Sequence, residues 1–245
     1  LWIFVVHTIT TDHPFFDKAL IRDRNFVTAS VFGFFIGILL FSTMALQPPL
    51  MQTLLGYPVL TSGLVSMPRG LGSFAAMFFV GRLIGKVDTR LILFVGLTIS
   101  CAALWQMMNF DLQMDQWPVI WSGLTQGFGV GFAYVSLTSA SFATLPQQYR
   151  AEGTAFFNLT RNIGSSIGIS AVQALLTENT QTVHQSLGQY ISPFNSALHG
   201  FDLHSATALA RLNGMVTSQA AMIAYNDDFK LMMILSLLVI PFLLF

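Results

Sequence analysis

The chain has 245 residues and a formal net charge of zero, and only 9% of its residues are charged while 53% are hydrophobic, which gives a mean hydropathy of +0.64. Soluble globular domains carry about 25% charged residues, so this composition excludes a water-soluble domain. The neutral charge offers no basic surface to a nucleic acid, and the single cysteine, Cys101, excludes an intrachain disulfide. We therefore predict an all-α membrane protein.

The N-terminal part is predicted to form the end of a linker span, residues 1–6, and a cytoplasmic interfacial segment up to residue 25. This segment is polar and holds Lys18, Arg22 and Arg24, while its apolar side chains recur at roughly helical spacing. Such a pattern is typical of a helix that lies in the membrane interface. Because the chain begins and ends within apolar runs, we expect it to be part of a longer protein.

Six apolar runs follow, and each is about long enough to cross the ~30 Å hydrocarbon core as a helix, which takes about 20 residues. The predicted spans cover residues 26–47, 61–80, 91–108, 118–145, 154–177 and 229–245. Pro48 and Pro49 are predicted to end the first span. Asn226 and Asp227 are predicted to begin the last, since short polar side chains accept orphan amide hydrogens there. The result is a six-span domain over residues 26–245, in which residues 178–228 form a long outer segment.

The basic residues of the connections predict the orientation. Residues 7–25 and 81–90 each hold three Lys or Arg and residues 146–153 hold one, whereas the short connections at 48–60 and 109–117 hold none. Since cytoplasmic loops carry the excess of Lys and Arg, both ends of the six-span domain are predicted to lie in the cytoplasm. The connector at 81–90 is so short that we also expect the second and third spans to be direct antiparallel neighbours.

Arg69 lies about nine residues into a predicted span, close to the middle of the membrane. A guanidinium there costs at least ~2.5–3.5 kcal/mol on insertion scales, so it must face a cavity or a partner. Two interpretations stay open. Arg69 is either a gate or a partner for an anion or carboxylate on a transport path, or it forms a structural pair with an acid elsewhere in the protein.

Four further polar residues in apolar helices are candidates for lining a substrate path. Arg161 lies two turns into the fifth span, where it could reach back to the cytoplasmic surface. Asn158 lies one turn before it on the same face, so a polar cluster of the two at the inner mouth of a cavity is the other interpretation. Gln126 and Tyr134 lie in the fourth span, where cavity lining and interhelical hydrogen bonding both explain them. Glycines at helical spacing predict close helix packing, and they are Gly123, Gly127, Gly131, Gly164 and Gly168.

No residue pattern predicts an enzyme or a metal site. The sequence lacks a Ser/His/Asp set, a phosphate loop and an HExxH motif. His184, His199 and His204 lie in the outer segment without cysteines or regularly spaced acids, and are predicted to be surface residues. The acids lie almost all in predicted loops, so no mid-membrane proton carrier is predicted within this chain.

The charged connector resembles the motif between the second and third helices of each half of major facilitator transporters, Gly-x-x-x-Asp-Arg/Lys-x-Gly-Arg-Arg/Lys. Gly81, Lys86 and Arg90 match it. Gly85 stands where the motif has Asp and Asp88 where it has Gly, a departure typical of a C-terminal half. The connector residues assigned through this resemblance are Gly81, Arg82, Gly85, Lys86, Asp88 and Arg90.

The wider chain is similar to the C-terminal half of 14-span drug:proton antiporters of the EmrB/QacA type, and its long outer segment makes it most similar to EmrB-like members. The similarity includes Arg24-Asn25-Phe26, Leu55-Gly56-Tyr57, Ser62-Gly63-Leu64, Gln126-Gly127-Phe128, Asn158-Leu159-Thr160-Arg161, Ser166-Ile167-Gly168 and Ser192-Pro193-Phe194-Asn195. The resemblance implies the six-helix C-terminal bundle of a major facilitator fold, with the N-terminal half absent from this chain.

The resemblance also implies proton-driven export of hydrophobic or amphipathic compounds across a bacterial inner membrane, with the proton gradient and no cofactor as the energy source. EmrB-like members work with a periplasmic adaptor of the EmrA type and an outer-membrane channel, so the outer segment would be periplasmic. A transporter of the same fold for a dedicated solute, such as a siderophore or a metabolite, stays open as the alternative. An enzyme or a channel is disfavoured because the spans lack clustered His, Asp or Glu.

Overall fold

The computed structural model describes residues 18–191 and 205–244, and every regular element in those ranges is a helix, which confirms the predicted all-α fold. The predictions for residues 1–6, for the motif at residues 192–195, and for His199 and His204 lie outside the described residues. The helices are α1 (Lys18–Arg22), α2 (Arg24–Pro49), α3 (Val59–Leu83), α4 (Thr89–Met107), α5 (Gln116–Ala143), α6 (Arg150–Gly188) and α7 (Ala206–Val239). A π-helical turn (Leu50–Leu54) follows α2, and 3-10 turns precede α6 (Gln147–Tyr149) and follow α7 (Ile240–Leu244).

Helix α5 lies between its neighbours at the centre of the bundle. It packs against α3 on one side and α4 on the other, and it also contacts α2. A second group is formed by α2 with α6 and by α6 with α7, and α7 closes the bundle by packing against α4. The largest cluster of buried apolar side chains draws on all six long helices and includes Leu46, Val65, Leu104, Val119, Val172 and Phe229.

The prediction that the second and third spans are direct neighbours is wrong. Helices α3 and α4 are joined by the short connector, but each packs on α5 rather than on the other. Glycines on two faces of α5 explain this arrangement. A Cβ on Gly131 would lie 2.6 Å from Ala76 of α3, and a Cβ on Gly129 would lie 2.6 Å from the Ser100 amide nitrogen of α4. Because α5 lacks side chains at these points, the two helices approach its backbone from different sides.

Three of the described helices are long and apolar enough to cross a membrane, judged by length and composition: Arg24–Leu54, Val59–Leu83 and Thr89–Met107. Helix α3 presents a stripe of exposed apolar side chains at spacings of three and four residues, which are Leu60, Leu64, Met67, Leu71, Phe74 and Phe78. Such a stripe on the outside of a bundle suits contact with lipid or with another apolar helix. The other three long helices have 28, 39 and 34 residues and do not meet the same criterion of length and composition over their described residues.

Pro48 and Pro49 do not end the first long helix, contrary to the sequence-based prediction. Both lie inside α2, and the helix continues into the π-helical turn, where the Leu55 amide donates to the Leu50 carbonyl oxygen at 3.0 Å. A proline lacks an amide hydrogen and crowds the preceding turn, and a wider turn just after the pair lets the backbone hydrogen bonds resume. The element ends before Gly56, whose φ of 70° is easily reached only by glycine.

The last long helix begins 23 residues before the predicted span, because α7 starts at Ala206 instead of Phe229. Asn226 and Asp227 therefore lie in its interior, and the prediction that they begin a helix is wrong. The polar first half of α7 is stabilised by packing against the end of the 39-residue helix α6, with Leu212 buried and His184 Nε2 lying 3.1 Å from Asn213 Oδ1. Most of the described part of residues 178–228 is thus helical, and its periplasmic location stays a prediction.

The connector between α3 and α4 is a tight turn, and its backbone conformation favours glycine at position 85. Gly85 has a φ of 86°, a left-handed conformation in which the Asp of the family motif would be strained. Asp88 then caps α4, since its Oδ1 accepts a hydrogen bond from the Arg90 amide at 2.9 Å. Arg82 extends back along α3, with its guanidinium carbon 3.5 Å from the centre of the Phe78 ring.

Candidate functional site

Arg69 is buried between α2, α3 and α5, and two groups on α2 bind its guanidinium. Its Nη1 donates to Gln47 Oε1 at 2.9 Å, and its Nη2 donates to the Leu40 carbonyl oxygen at 3.4 Å. Within the described residues no carboxylate pairs with it. A guanidinium has five N–H donors, so Arg69 keeps donor capacity beyond these two bonds.

A second buried hydrogen bond lies beside the first and joins α5 to α2. Gln126 Nε2 donates to Thr43 Oγ1 at 2.8 Å, while Gln126 Oε1 is buried without a hydrogen-bond partner among the described residues. The Thr43 hydroxyl also lies 3.9 Å from the sulfur of Met232 on α7. Thr43 and Gln47 are one helical turn apart, so we treat Thr43, Gln47, Arg69 and Gln126 as one group, the Arg69 cluster.

The glycines of α5 place this cluster by letting α3 approach closely. A Cβ on Gly127 would overlap the Arg69 backbone carbonyl, and the Ser73 hydroxyl donates to the Gly127 carbonyl oxygen at 3.0 Å. One turn earlier the helices are farther apart, since a Cβ on Gly123 would come no nearer than 3.7 Å to Arg69 Cβ. The backbone at Arg69 is therefore pressed against α5 at Gly127, which directs its side chain towards α2.

Arg161 of α6 binds a different polar group of α5. Its Nη1 donates to the Tyr134 hydroxyl oxygen at 2.8 Å, and its guanidinium carbon lies 5.9 Å from the centre of the Phe41 ring on α2. Its Nε is buried without a partner in the described part of the chain. Asn158 is half-buried and does not hydrogen-bond to Arg161, so the two do not form the predicted polar cluster. We call Arg161 and Tyr134 the Arg161 pair.

Close contact between α2 and α6 positions this pair. A Cβ on Gly37 would overlap the Arg161 carbonyl oxygen, and a Cβ on Gly164 would overlap the Phe34 carbonyl oxygen. A Cβ on Gly168 would lie 2.7 Å from Ser42 Oγ. Helices α2 and α6 thus meet along glycines from both sides, and the two arginines reach neighbouring residues of α2, Leu40 and Phe41.

Replacing Tyr134 by phenylalanine is expected to lower the free energy of unfolding by about 1–2 kcal/mol, because it removes a hydrogen bond to a half-buried charged group. Thermal unfolding of the purified full-length parent protein in detergent measures this. Tyr57→Phe is the matched control, since the Tyr57 hydroxyl makes no hydrogen bond among the described residues. Burial and the nearby Asp115 raise the pKa of the Tyr57 hydroxyl, so this residue is neutral. Equal unfolding midpoints for the two variants would contradict the assigned role of Tyr134.

Sequence reasoning missed three members of the buried polar interior. Thr43 and Gln47 fall within a predicted apolar span, although their spacing of four residues already places both on one face of α2. Asp228 was assigned to a loop, but it lies inside α7 with 1% of its surface exposed. Buried apolar residues recur on both sides of it at helical spacing, and this periodicity was the signal available.

Three of the long helices are apolar enough to span a bilayer, and the bundle holds one buried and one half-buried arginine, bound by an amide and by a hydroxyl group. These features define a multi-pass membrane protein. The chain belongs to the Major Facilitator Superfamily, whose family model matches residues 7–169. The family predicted from the connector and the other stretches is thereby confirmed.

Curated relatives match nearly the whole chain. It is 28% identical over 233 residues to the multidrug export protein EmrB of Escherichia coli (strain K12), covering 92% of this chain and 46% of that protein. It is 27% identical over 249 residues to the fatty acid resistance protein FarB of Neisseria gonorrhoeae, covering 97% and 48%. It is 27% identical over 236 residues to the probable multidrug resistance protein EmrY of Escherichia coli (strain K12), covering 93% and 46%. The chain thus spans about half the length of the curated relatives that it matches.

Proposed function

We propose that this chain forms one half of a proton-driven multidrug efflux antiporter that exports hydrophobic and amphipathic compounds across a bacterial inner membrane. The observation that carries the proposal is the Arg69 cluster, in which a cation is buried inside an apolar bundle without a carboxylate partner among the described residues. Such a residue is expensive to place in a membrane, and function is the default explanation for it. Relatives named for multidrug export and for fatty acid resistance support this choice of substrates.

In this mechanism two helical bundles rock about a central cavity and expose it to each side of the membrane in turn. The chain would supply one wall, with Arg69, Gln126, Tyr134, Asn158 and Arg161 on or next to the substrate path. Arg69 and Arg161 reach α2 from different helices and would change partners as the bundle moves. The energy would come from the proton gradient, without a cofactor.

The glycine contacts suit such motion, because helices that meet backbone to backbone can shift without side chains having to repack. The connector from Gly81 to Arg90 would act at the cytoplasmic end, where its tight turn and the Asp88 cap keep the ends of α3 and α4 together. Phe and Met side chains near the cavity would adapt to substrates of different shape.

A transporter for one dedicated solute, such as a siderophore or a metabolite, is the alternative, because a buried arginine also suits a single carboxylate substrate. Cells that lack their own drug exporters and express the full-length parent protein separate the two proposals. Raised tolerance to several chemically unrelated amphipathic compounds is the result that the multidrug proposal predicts. Unchanged tolerance, together with export of a single metabolite, would replace it with the dedicated transporter.

We also propose that the protein works with a periplasmic adaptor of the EmrA type and an outer-membrane channel. Helix α6 has 39 residues, which is about 58 Å at 1.5 Å per residue, roughly twice the ~30 Å of a hydrocarbon core. Helix α7 packs along it, so the two helices would extend beyond the membrane as a paired projection. A long paired projection of this kind offers a large surface to a partner protein.

Replacing residues 178–216, which hold the polar ends of α6 and α7 and the connection between them, with a short Gly-Ser linker is expected to abolish co-purification of the adaptor with the full-length parent protein. The bundle should stay folded, because the buried apolar clusters formed by the described residues do not include residues 178–216, and an unchanged unfolding midpoint checks this. Retention of the adaptor by the folded variant would show that the projection is not where it binds.

A further inference from the structure

Asp228 is the only Asp or Glu buried in the described part of the chain, and it has no use in the mechanism above. It lies inside α7 with 1% of its surface exposed, and neither carboxylate oxygen has a hydrogen-bond partner among the described residues. An ionised carboxylate without partners is strongly disfavoured in an apolar core, whereas the neutral acid is tolerated. Burial of both carboxylate oxygens without a partner therefore favours the protonated acid in the structure described.

The surroundings of Asp228 are held together by apolar and amide contacts. The Phe229 ring packs edge-on to Phe110, with the ring centres 6.0 Å apart, and Asn226 Nδ2 donates to the Phe110 carbonyl oxygen at 2.9 Å. These contacts tie this turn of α7 to the connection that follows α4. Val172 of α6 and Met232 belong to the same buried cluster.

No charged group in the described residues pairs with Asp228. On α7, Tyr225 and Asp227 interact with it electrostatically, Tyr225 as a buried neutral group and Asp227 as an exposed acid, while Lys230 is exposed. The titratable groups on the packed elements include Cys101 on α4, Asp111 after it, and Glu178 and His184 on α6. The other charged residues of these helices, which are Arg90 of α4 and Arg150, Glu152 and Arg161 of α6, lie three or more turns from Phe110 and Val172. Cys101 is buried, His184 contacts Asn213, and Asp111 and Glu178 are exposed.

Asp228 is also connected to the Arg69 cluster through α7. Met232 lies one turn further along the helix and is buried like Asp228, and its sulfur lies 3.9 Å from the Thr43 hydroxyl, which accepts the hydrogen bond from Gln126. A movement of this turn of α7 would therefore be transmitted to Thr43. Loss of the proton from Asp228 would favour such a movement, because the carboxylate needs water.

We propose that Asp228 is a proton-binding site of this half of the transporter, buried as the neutral acid when α7 packs as described. When this turn of α7 separates from its neighbours, the carboxyl O–H transfers its proton to water and leaves a hydrated carboxylate. Rebinding of a proton from water allows the turn to pack again. This inference rests on the proposed proton coupling, and it names the chain's own carboxyl for that role.

The test uses the full-length parent protein in liposomes, with Asp228→Asn and, as matched control, Asp227→Asn on the exposed neighbouring acid. Asp228→Asn mimics the neutral acid but releases no proton. It is expected to retain substrate counterflow, which needs no net proton movement, and to lose substrate accumulation driven by a proton gradient. Asp227→Asn is expected to retain both. A structural role alone would not separate counterflow from accumulation.

Infrared difference spectra of the wild type against Asp228→Asn give an independent readout at neutral pH. The wild type is expected to show the C=O band of a carboxylic acid that Asp228→Asn lacks. If Asp228→Asn does not insert into the membrane, Asp228→Glu replaces it and is expected to shift this band. A carboxylate band instead, or accumulation by Asp228→Asn equal to that of the wild type, would overturn the inference. If the wild type itself shows counterflow without proton-driven accumulation, the proposed function fails and the coupling role of Asp228 fails with it. The infrared band still decides whether the site binds a proton.

Discussion

Replacing Arg69 by methionine in the full-length parent protein is expected to reduce drug efflux more than about tenfold, which corresponds to about 1.4 kcal/mol or more in the barrier. Methionine keeps much of the side-chain volume but removes every hydrogen-bond donor. Gln47 Oε1, which accepts the Arg69 hydrogen bond at 2.9 Å, then loses its partner in a buried position. Any substrate group that the guanidinium binds during transport loses its partner as well. Dye efflux from energised cells, corrected for the amount of protein in the membrane, measures the effect.

Two further variants separate charge from geometry. Arg69→Lys keeps the positive charge but not the planar fork that reaches both Gln47 and the Leu40 carbonyl, so it should recover only part of the efflux. Arg22→Met removes an exposed arginine from the short helix α1 and is expected to transport like the wild type. Efflux by Arg69→Met equal to that of Arg22→Met would show that Arg69 is structural, the second interpretation that its sequence position left open.

Adding one methyl group at Gly127 is expected to destabilise the protein by about 1–3 kcal/mol, the usual cost of overpacking. A Cβ at this position would overlap the Arg69 backbone carbonyl, and backbone cannot move aside as a flexible side chain can. Helices α3 and α5 would have to separate, which would also disturb the Ser73 hydrogen bond to the Gly127 carbonyl oxygen. The midpoint of thermal unfolding of Gly127→Ala in detergent should fall clearly below that of the wild type.

Gly123→Ala is the matched control, because it makes the same change one turn earlier on the same helix. Its new Cβ would come no nearer than 3.7 Å to Arg69 Cβ, which is an ordinary van der Waals contact. Its unfolding midpoint is expected to equal or slightly exceed that of the wild type, since alanine favours a helix over glycine. Similar losses for both alanine variants would mean that α3 does not approach α5 as closely at Gly127 as the structure has it.

Local signals predicted much of the fold. The ends of α4 and α5 lie within two or three residues of the predicted spans, because charged and polar turn residues bound their apolar runs on both sides. The connector between α3 and α4 was also recognisable, since the turn at Gly85 and the helix cap at Asp88 depend only on neighbouring residues. Features that depend only on neighbouring residues were therefore accessible from the sequence.

Features that depend on distant contacts were not accessible. Helical patterns are visible in the sequence at residues 206–211 and 216–224, but nothing there shows that they belong to one long helix packed along α6. Because the last helix was predicted to begin at residue 229, Asp228 was expected to lie at a helix end, where an acid is normally solvated. Tertiary contacts override local propensity in such cases.

The candidate site shows the same division. Arg69 stood out because a charge within an apolar run is visible in the sequence, but its partners Gln47 and Leu40 follow from the packing of α3 on α5, which directs the side chain towards α2. Arg161 was placed with Asn158 by helical spacing, whereas its hydrogen-bond partner is Tyr134, 27 residues earlier on another helix. Helical spacing predicts which residues share a face and cannot predict which helix that face meets.

The most direct test of the proposed function is dye transport by the full-length parent protein in inverted membrane vesicles, in which the cytoplasmic face is outside. Dye is expected to accumulate in the vesicles when respiration acidifies their interior, and a protonophore is expected to release it. Accumulation that survives the protonophore, or no transport by protein shown to be folded and inserted, would contradict proton-driven multidrug export. The family and the helical fold would stand, and the dedicated-solute transporter would become the leading explanation.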